Sequence, residues 1–262
     1  MRWRPAPGTA VSCFQSIVGY QNKGFENAQY NISAATFIPV TGDANTMTLG
    51  DLVPSDDFVS SSISFMTPGG ATARVDFNGK QVAAKYTYWL DEDASDGAGW
   101  YLEADEDAEY NQNSVNLPFG TGFLVYRVGS EADATITYSG AVRTTPVTKT
   151  FPNAQYNIFG NCSPVDITLG DITVSDDFVS SSISFMTPGG ATARVDFNGK
   201  QVAAKYTYWQ EDDASDGAGW YLEADEDAEY NQNSVAISAG QGFLVYRVGS
   251  ESSATMTIPS AL

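Results

Sequence analysis

Short β-branched and aromatic runs, broken by turn residues, recur along the whole chain. ATARVDF (71–77), KQVAAKYTYWL (80–90), GFLVYRV (122–128) and ATITYSGAV (134–142) show partial in-out alternation, the signature of half-buried strands. Asn78-Gly79 between the first two predicts a tight hairpin, because both central positions of that turn need positive φ. Pro68-Gly69-Gly70 predicts a second turn. SDDFVSSSISFM (55–66) reads either as a short helix capped by Ser55, with acids in its first turn, or as a strand. No long stretch repeats at 3.6 residues, so nothing reads as the crossover helix a parallel α/β sheet requires. Strands about 8–12 residues apart predict an all-β sandwich or jelly-roll-like architecture.

Self-comparison divides this pattern in two. Ser55–Trp89 recurs unchanged at Ser175–Trp209, and Leu49–Val142 differs from Leu169–Leu262 at 18 of 94 positions. Upstream, GFENAQYNI matches TFPNAQYNI, and the first copy carries six extra residues before TLGD. A period near 120 exceeds the ~20–50 residues of solenoid or propeller repeats, so each copy should fold on its own core. The expectation is two tandem, near-identical β-sandwich or jelly-roll-like domains: an extension and first strand over 1–25, repeat 1 over 26–142 and repeat 2 over 143–262.

Composition changes the picture in one respect. Thirteen Lys and Arg against 32 Asp and Glu, with no His, give a net charge of −19. Such an excess disfavours nucleic acid and anionic membrane surfaces. The lack of His removes Ser-His-Asp and Cys-His nucleophile systems. No run of about 18 apolar residues predicts a membrane span. The charge is local, because DEDASDGAGWYLEADEDAE (91–109) and EDDASDGAGWYLEADEDAE (211–229) supply 18 of the 32 acids.

Asp91-x-Asp93-x-Ser95-Asp96-Gly97 resembles the opening of an oxygen-ligand calcium loop. It departs from the EF-hand pattern, with Gly at the seventh position and Leu102 at the twelfth; Glu103 would serve in a loop one residue longer. The candidate Ca²⁺ ligands are Asp91, Asp93, Ser95, Asp96, Glu103, Asp105 and Asp107 in the first copy. Glu211, Asp213, Ser215, Asp216, Glu223, Asp225 and Asp227 are their counterparts in the second. Tyr86, Tyr88 and Trp100, repeated as Tyr206, Tyr208 and Trp220, surround the same loop. Alternation puts the two tyrosines on one face, and an exposed platform of this kind would stack on sugar rings. Core packing is the competing reading for these rings. Glycosidase chemistry needs an isolated carboxyl pair, and none stands out, so no enzyme is expected. Asn31-Ile-Ser33 and Asn161-Cys-Ser163 are glycan acceptor sequences.

The N-terminal segment TAVSCFQSIVGYQNKGF aligns without gaps to the joint between the copies, Phe25 falling on Phe151 and Lys23 on Lys149. It therefore reads either as the tail of a missing repeat, donated to a neighbouring chain, or as the first strand of repeat 1. Donation would give head-to-tail homopolymers, since heterologous contacts that do not close make filaments. Cys13 and Cys162 would then pair between subunits; otherwise they are two buried thiols, or form an intramolecular bridge spanning from the first strand to the second domain. MRWRPAPGTAV is too polar and proline-rich for a secretory signal. Low Lys with abundant Ser, Thr, Asn, Gly and Tyr still points to an extracellular or cell-surface protein.

YNIFGNCSPVDITLGDI, GWY, G-x-GFLVYRV and ATITYSGAV together resemble the tandem β modules of exported bacterial surface proteins, although the first copy departs at YNISAATFIPV. The resemblance implies a secreted modular protein and brings no catalytic residues. The sequence thus leads to an extracellular structural protein, a Ca²⁺-stabilised filament or surface-layer subunit. The alternative is a carbohydrate-binding surface adhesin.

Overall fold

A computed structural model describes residues 18–26, 29–38, 46–90, 94–118, 121–129, 134–152, 155–210, 214–249 and 254–261. It is all-β, and every strand pairing in it is antiparallel. The helical turns among the described residues are three-residue 3₁₀ turns.

The first copy runs β1 (Val18–Gly24), β2 (Tyr30–Ala34), β3 (Thr46–Thr48), β4 (Leu52–Pro54), β5 (Ser62–Ser64) and β6 (Arg74–Phe77). It continues with β7 (Lys80–Ala83), β8 (Lys85–Trp89), β9 (Gly99–Leu102), β10 (Asn116–Pro118), β11 (Gly122–Tyr126) and β12 (Thr135–Ala141). A five-stranded sheet, β2-β11-β5-β8-β9, and a three-stranded sheet, β1-β12-β4, carry its core. Alternation decides which side chains enter. Phe123 and Val125 of β11 and Ile63 of β5 come from one sheet, and Ile136 and Tyr138 of β12 from the other. The buried Tyr138 hydroxyl is 3.0 Å from Ser33 Oγ, which satisfies it across the sheets.

The second copy repeats the plan. It comprises β13 (Val147–Phe151), β14 (Tyr156–Gly160), β15 (Ile167–Thr168), β16 (Thr173–Val174), β17 (Ser182–Ser184) and β18 (Arg194–Phe197). Then come β19 (Lys200–Ala203), β20 (Lys205–Trp209), β21 (Gly219–Leu222), β22 (Ala236–Ile237), β23 (Gly242–Tyr246) and β24 (Ala254–Ile258). Its sheets are β14-β23-β17-β20-β21 and β13-β24-β16, around a separate core cluster.

Local chemistry explains most of these elements. Asn78 (φ 51°) and Gly79 (φ 77°) make the two-residue turn between β6 and β7. Gly69, at φ 99°, turns the chain after Pro68. The ambiguous segment 55–66 is both things in succession, a 3₁₀ turn at Asp56–Phe58 and then β5. Ser55 does not cap that turn with its side chain; its Oγ accepts the N–H of Thr135, 3.0 Å away, and ties the turn to β12. The run KQVAAKYTYWL is not one strand. Buried Ala84 donates to Ala73 O and accepts from Phe65 N–H, so the chain leaves the β6–β7 hairpin there and enters the five-stranded sheet.

The candidate donated strand pairs within its own chain. β1 lies antiparallel to β12, Val18 opposite Ala141 and Gly24 opposite Thr135, as β13 lies against β24. Residues 18–24 are thus the first strand of the first copy, the second of the two readings of that segment. Residues 1–17, with Cys13, lie outside the described residues.

Candidate functional site

Two regions compete for function: the acidic loops and the seam between the copies. In each loop the chain reverses between a Trp and a Gly, β8 pairing with β9 from Trp89–Gly99 to Tyr86–Leu102. After β9 it turns again, with Asp105 N–H on Leu102 O and Ala108 N–H on Asp105 O. Ala108 is buried at positive φ (46°), where L-residues are uncommon, so packing holds this turn.

Three of the candidate calcium ligands have protein partners. Asp96 Oδ2 accepts Asn111 Nδ2 at 2.6 Å and the Asn111 N–H at 3.4 Å. Asp105 Oδ2 accepts the Tyr110 N–H at 3.0 Å. Glu103 pairs with Lys85 at 2.5 Å. The second copy repeats these contacts at Asp216, Asp225 and Glu223. Burial and then the Asp216 charge raise the pKa of the Tyr221 phenol, which donates to Gly217 O. Ser95 and Asp107, with Ser215 and Asp227, are exposed. Asp91, Asp93, Glu211 and Asp213 lie outside the described residues. Among the described residues, no three His, Cys, Asp or Glu side chains converge on one point.

The aromatic platform is not on the surface. Tyr86 and Trp100 are 2% and 1% exposed, and Tyr206 and Trp220 match them. Tyr88 and Tyr208 are half-buried, their rings 5.4 Å from the Trp100 and Trp220 rings. Trp100 also meets Phe58 edge-on at 5.9 Å. The core needs large apolar volume at these positions, and that need outweighs display. The indole N–H groups of Trp100 and Trp220 have no acceptor among the described residues.

The glycan sequence at Asn161 is likewise unavailable in the folded chain. Asn161 is fully buried, and its Nδ2 donates to the carbonyls of Val165, Ile237 and Ser238. Next to it, Cys162 is a buried thiol whose pKa burial pushes up to about 12. A thiol held neutral in this way is a poor nucleophile.

The seam joins the outer faces of the two five-stranded sheets, and its contacts are reciprocal. Gly69 N–H donates to Tyr156 O at 2.7 Å, and Gly189 N–H to Tyr30 O at 2.9 Å. Ile158 Cγ2 sits against the Cα of Gly122, and Ile32 Cγ2 against that of Gly242. A methyl at Gly122 would overlap Ile158 and come within 2.9 Å of Phe159 O; one at Gly242 would meet Ile32 the same way. These are the glycines of the G-x-GFLVYRV motif, so the motif marks a backbone approach that only Gly permits.

The loop at 239–240 of the second copy also reaches the first copy. Gly240 O accepts the N–H of Ala34 (3.1 Å) and the hydroxyl of Ser33 (3.4 Å), and also receives Lys23 Nζ. Gln21 Nε2 donates to Ala239 O at 3.0 Å. Lys149, the counterpart of Lys23, turns instead to Ile158 O in its own copy, 5.5 Å from the Phe159 ring. Burial lowers both lysines to about 8.

Beside the seam lies a groove of about 580 Å³, lined by Tyr30, Ile32, Ser64, Met66, Thr72, Ala83, Lys85, Glu103 and Leu124 of the first copy. Met186, Gly190 and Leu244 of the second copy complete it. Sequence reasoning missed both seam and groove. The only signal was the glycine ahead of each FLVYRV run, read there as part of an apolar motif. No known protein family, curated protein or solved structure matches this chain.

Proposed function

We propose that this is an extracellular structural protein, built from two tandem β-sandwich domains, which assembles head to tail as the subunit of a filament or surface layer. The observation that carries this reading is β1. It is the edge strand of its sheet, and Val18 (60%) and Tyr20 (76%) stand exposed on it. An edge strand with exposed apolar side chains is a template for pairing with another chain. The aligned positions of the second copy are Thr144 and Pro146, exposed but ahead of β13, so the two edges are not equivalent. The seam uses the same patch on both copies and closes on itself; a further contact therefore needs another surface, and the β1 edge is one.

Calcium is part of the proposal. Asp96 and Asp105 commit one oxygen each, Oδ2, to holding the loop and keep the other for a hard cation. Nine acids within 19 residues repel one another unless solvated or neutralised. The extracellular location rests on composition and on the resemblance to exported β modules.

Size-exclusion chromatography and negative-stain electron microscopy of the purified chain test the assembly. Polymers that Tyr20→Lys disperses, without lowering the melting midpoint, are expected. A monodisperse monomer at high concentration would overturn the filament. A melting midpoint that is equal in EDTA and in millimolar Ca²⁺ would remove calcium.

A further inference from the structure

We propose that the groove beside the seam binds a cationic amphiphile, its alkyl chain lying on Ile32, Leu124, Met66 and Met186 and its ammonium group on Glu103. The groove's volume, about 580 Å³, falls within the roughly 300–1,000 Å³ of small-ligand pockets. Its walls come from both copies, so it exists only while the seam is closed. A much smaller void, about 10 Å³, lies against Tyr156, Ile158, Leu244, Met66 and Gly70 on the other side. Two methionines face the groove from opposite copies, and their unbranched thioethers adapt to chains of different shape.

Charge selects the head group. The groove's charged lining is the Lys85–Glu103 pair, whose side chains are 28% and 53% exposed. An ion pair this exposed holds its partners weakly, so Glu103 can exchange Lys85 for a ligand ammonium at little cost. Glu103 also opens the run EADEDAE, five acids against the single Lys85, and the local potential therefore favours cations and opposes carboxylates.

Isothermal titration of the full chain with octylammonium, octyl glucoside and octanoate, all below their micelle concentrations, tests this. Octylammonium should bind, octanoate should not, and the neutral glucoside should bind several-fold more weakly. Lengthening the chain to decylammonium should tighten binding about tenfold, from the added buried methylenes. Glu103→Gln should weaken octylammonium at least fivefold in EDTA, with a circular dichroism melt showing that the variant is folded. Met186→Trp should fill the groove and abolish binding; a circular dichroism melt reports whether that variant is folded. Because Glu103→Gln alters only an exposed side chain, it remains decisive if Met186→Trp fails to fold. Binding without preference for the ammonium head, binding that survives Glu103→Gln or a folded Met186→Trp variant, or no binding, overturns the assignment.

Discussion

The acidic loops at 94–111 and 214–231 concentrate acids, whereas the seam where Ile32 meets Gly242 and Ile158 meets Gly122 is apolar packing beside one buried cation, Lys23 on Gly240 O. In the loops each polar group answers a local need: Asp96 holds Asn111, Asp105 holds the Tyr110 N–H, Glu103 holds Lys85. These contacts are exposed, and water can replace any of them. At the seam nothing can be replaced, because the contact depends on an atom that is missing, the Cβ of a glycine. The chain's most conspicuous chemistry therefore shapes surface loops, and the relation between its two halves rests on close packing.

Substituting the seam glycines should have the largest effect. Gly122→Val or Gly242→Val forces a side chain into Ile158 or Ile32, and overpacking of this kind costs about 1–3 kcal/mol. Urea unfolding should show that loss for each variant, and the double variant should become sensitive to proteases near residues 143–146 as the halves part. Gly24→Ala is the control: nothing lies within 4 Å of the added methyl, so its effect should stay within about 0.5 kcal/mol. A Gly122→Val protein with the wild-type midpoint would break the contrast between seam and loop.

Strand content and the repeat were legible because they rest on local signals. Alternation in ATITYSGAV places Ile136 and Tyr138 inside, and Asn78-Gly79 turns where its φ values require. The switch at Ala84 was not legible, since a continuous β-branched and aromatic run gives no sign that its two halves join different sheets. The aromatic residues stood between two readings, core and sugar platform, for a related reason. Alternation says that Tyr86 and Tyr88 share a face, but only the second sheet determines that this face is the core. Gly122 was visible but not interpretable, because its partner Ile158 lies in the other copy and no local pattern links them.

A smaller effect should separate the lysine that crosses the seam from its counterpart within one copy. Burial lowers both Lys23 and Lys149 from 10.5 to about 8. A lysine with a depressed folded pKa opposes folding while it is charged in both states. Its penalty is complete below about pH 8 and disappears as pH rises toward 10.5. The stability of the wild type relative to Lys23→Met or Lys149→Met should therefore rise between pH 8 and 10.5. Taking this difference cancels the opposing ionisation of Cys162 and Tyr138, whose folded pKa values are raised. If Lys23 Nζ also secures Gly240 O across the seam, the Lys23 variant alone should show increased cleavage near 143–146; equal cleavage would remove that role.

The loops should give the smallest responses, and those should divide by what each carboxylate touches. Asp96→Ala removes the acceptor of two Asn111 donors and should cost about 0.5–1.5 kcal/mol. Glu106→Gln and Glu109→Gln remove exposed charges beside like charges, so each should change stability by less than about 0.5 kcal/mol, in the stabilising direction at low salt. That gain should vanish in 1 M NaCl, where the screening length falls to about 3 Å, whereas the Asp96→Ala loss should persist because it is a hydrogen bond. Calcium sharpens the same division. If a cation bridges the cluster, neutralising Glu106 should lower the melting midpoint in millimolar Ca²⁺ while raising it in EDTA. A gain of the same size in both buffers would mean that the acids of 103–109 repel one another across water and that no cation joins them.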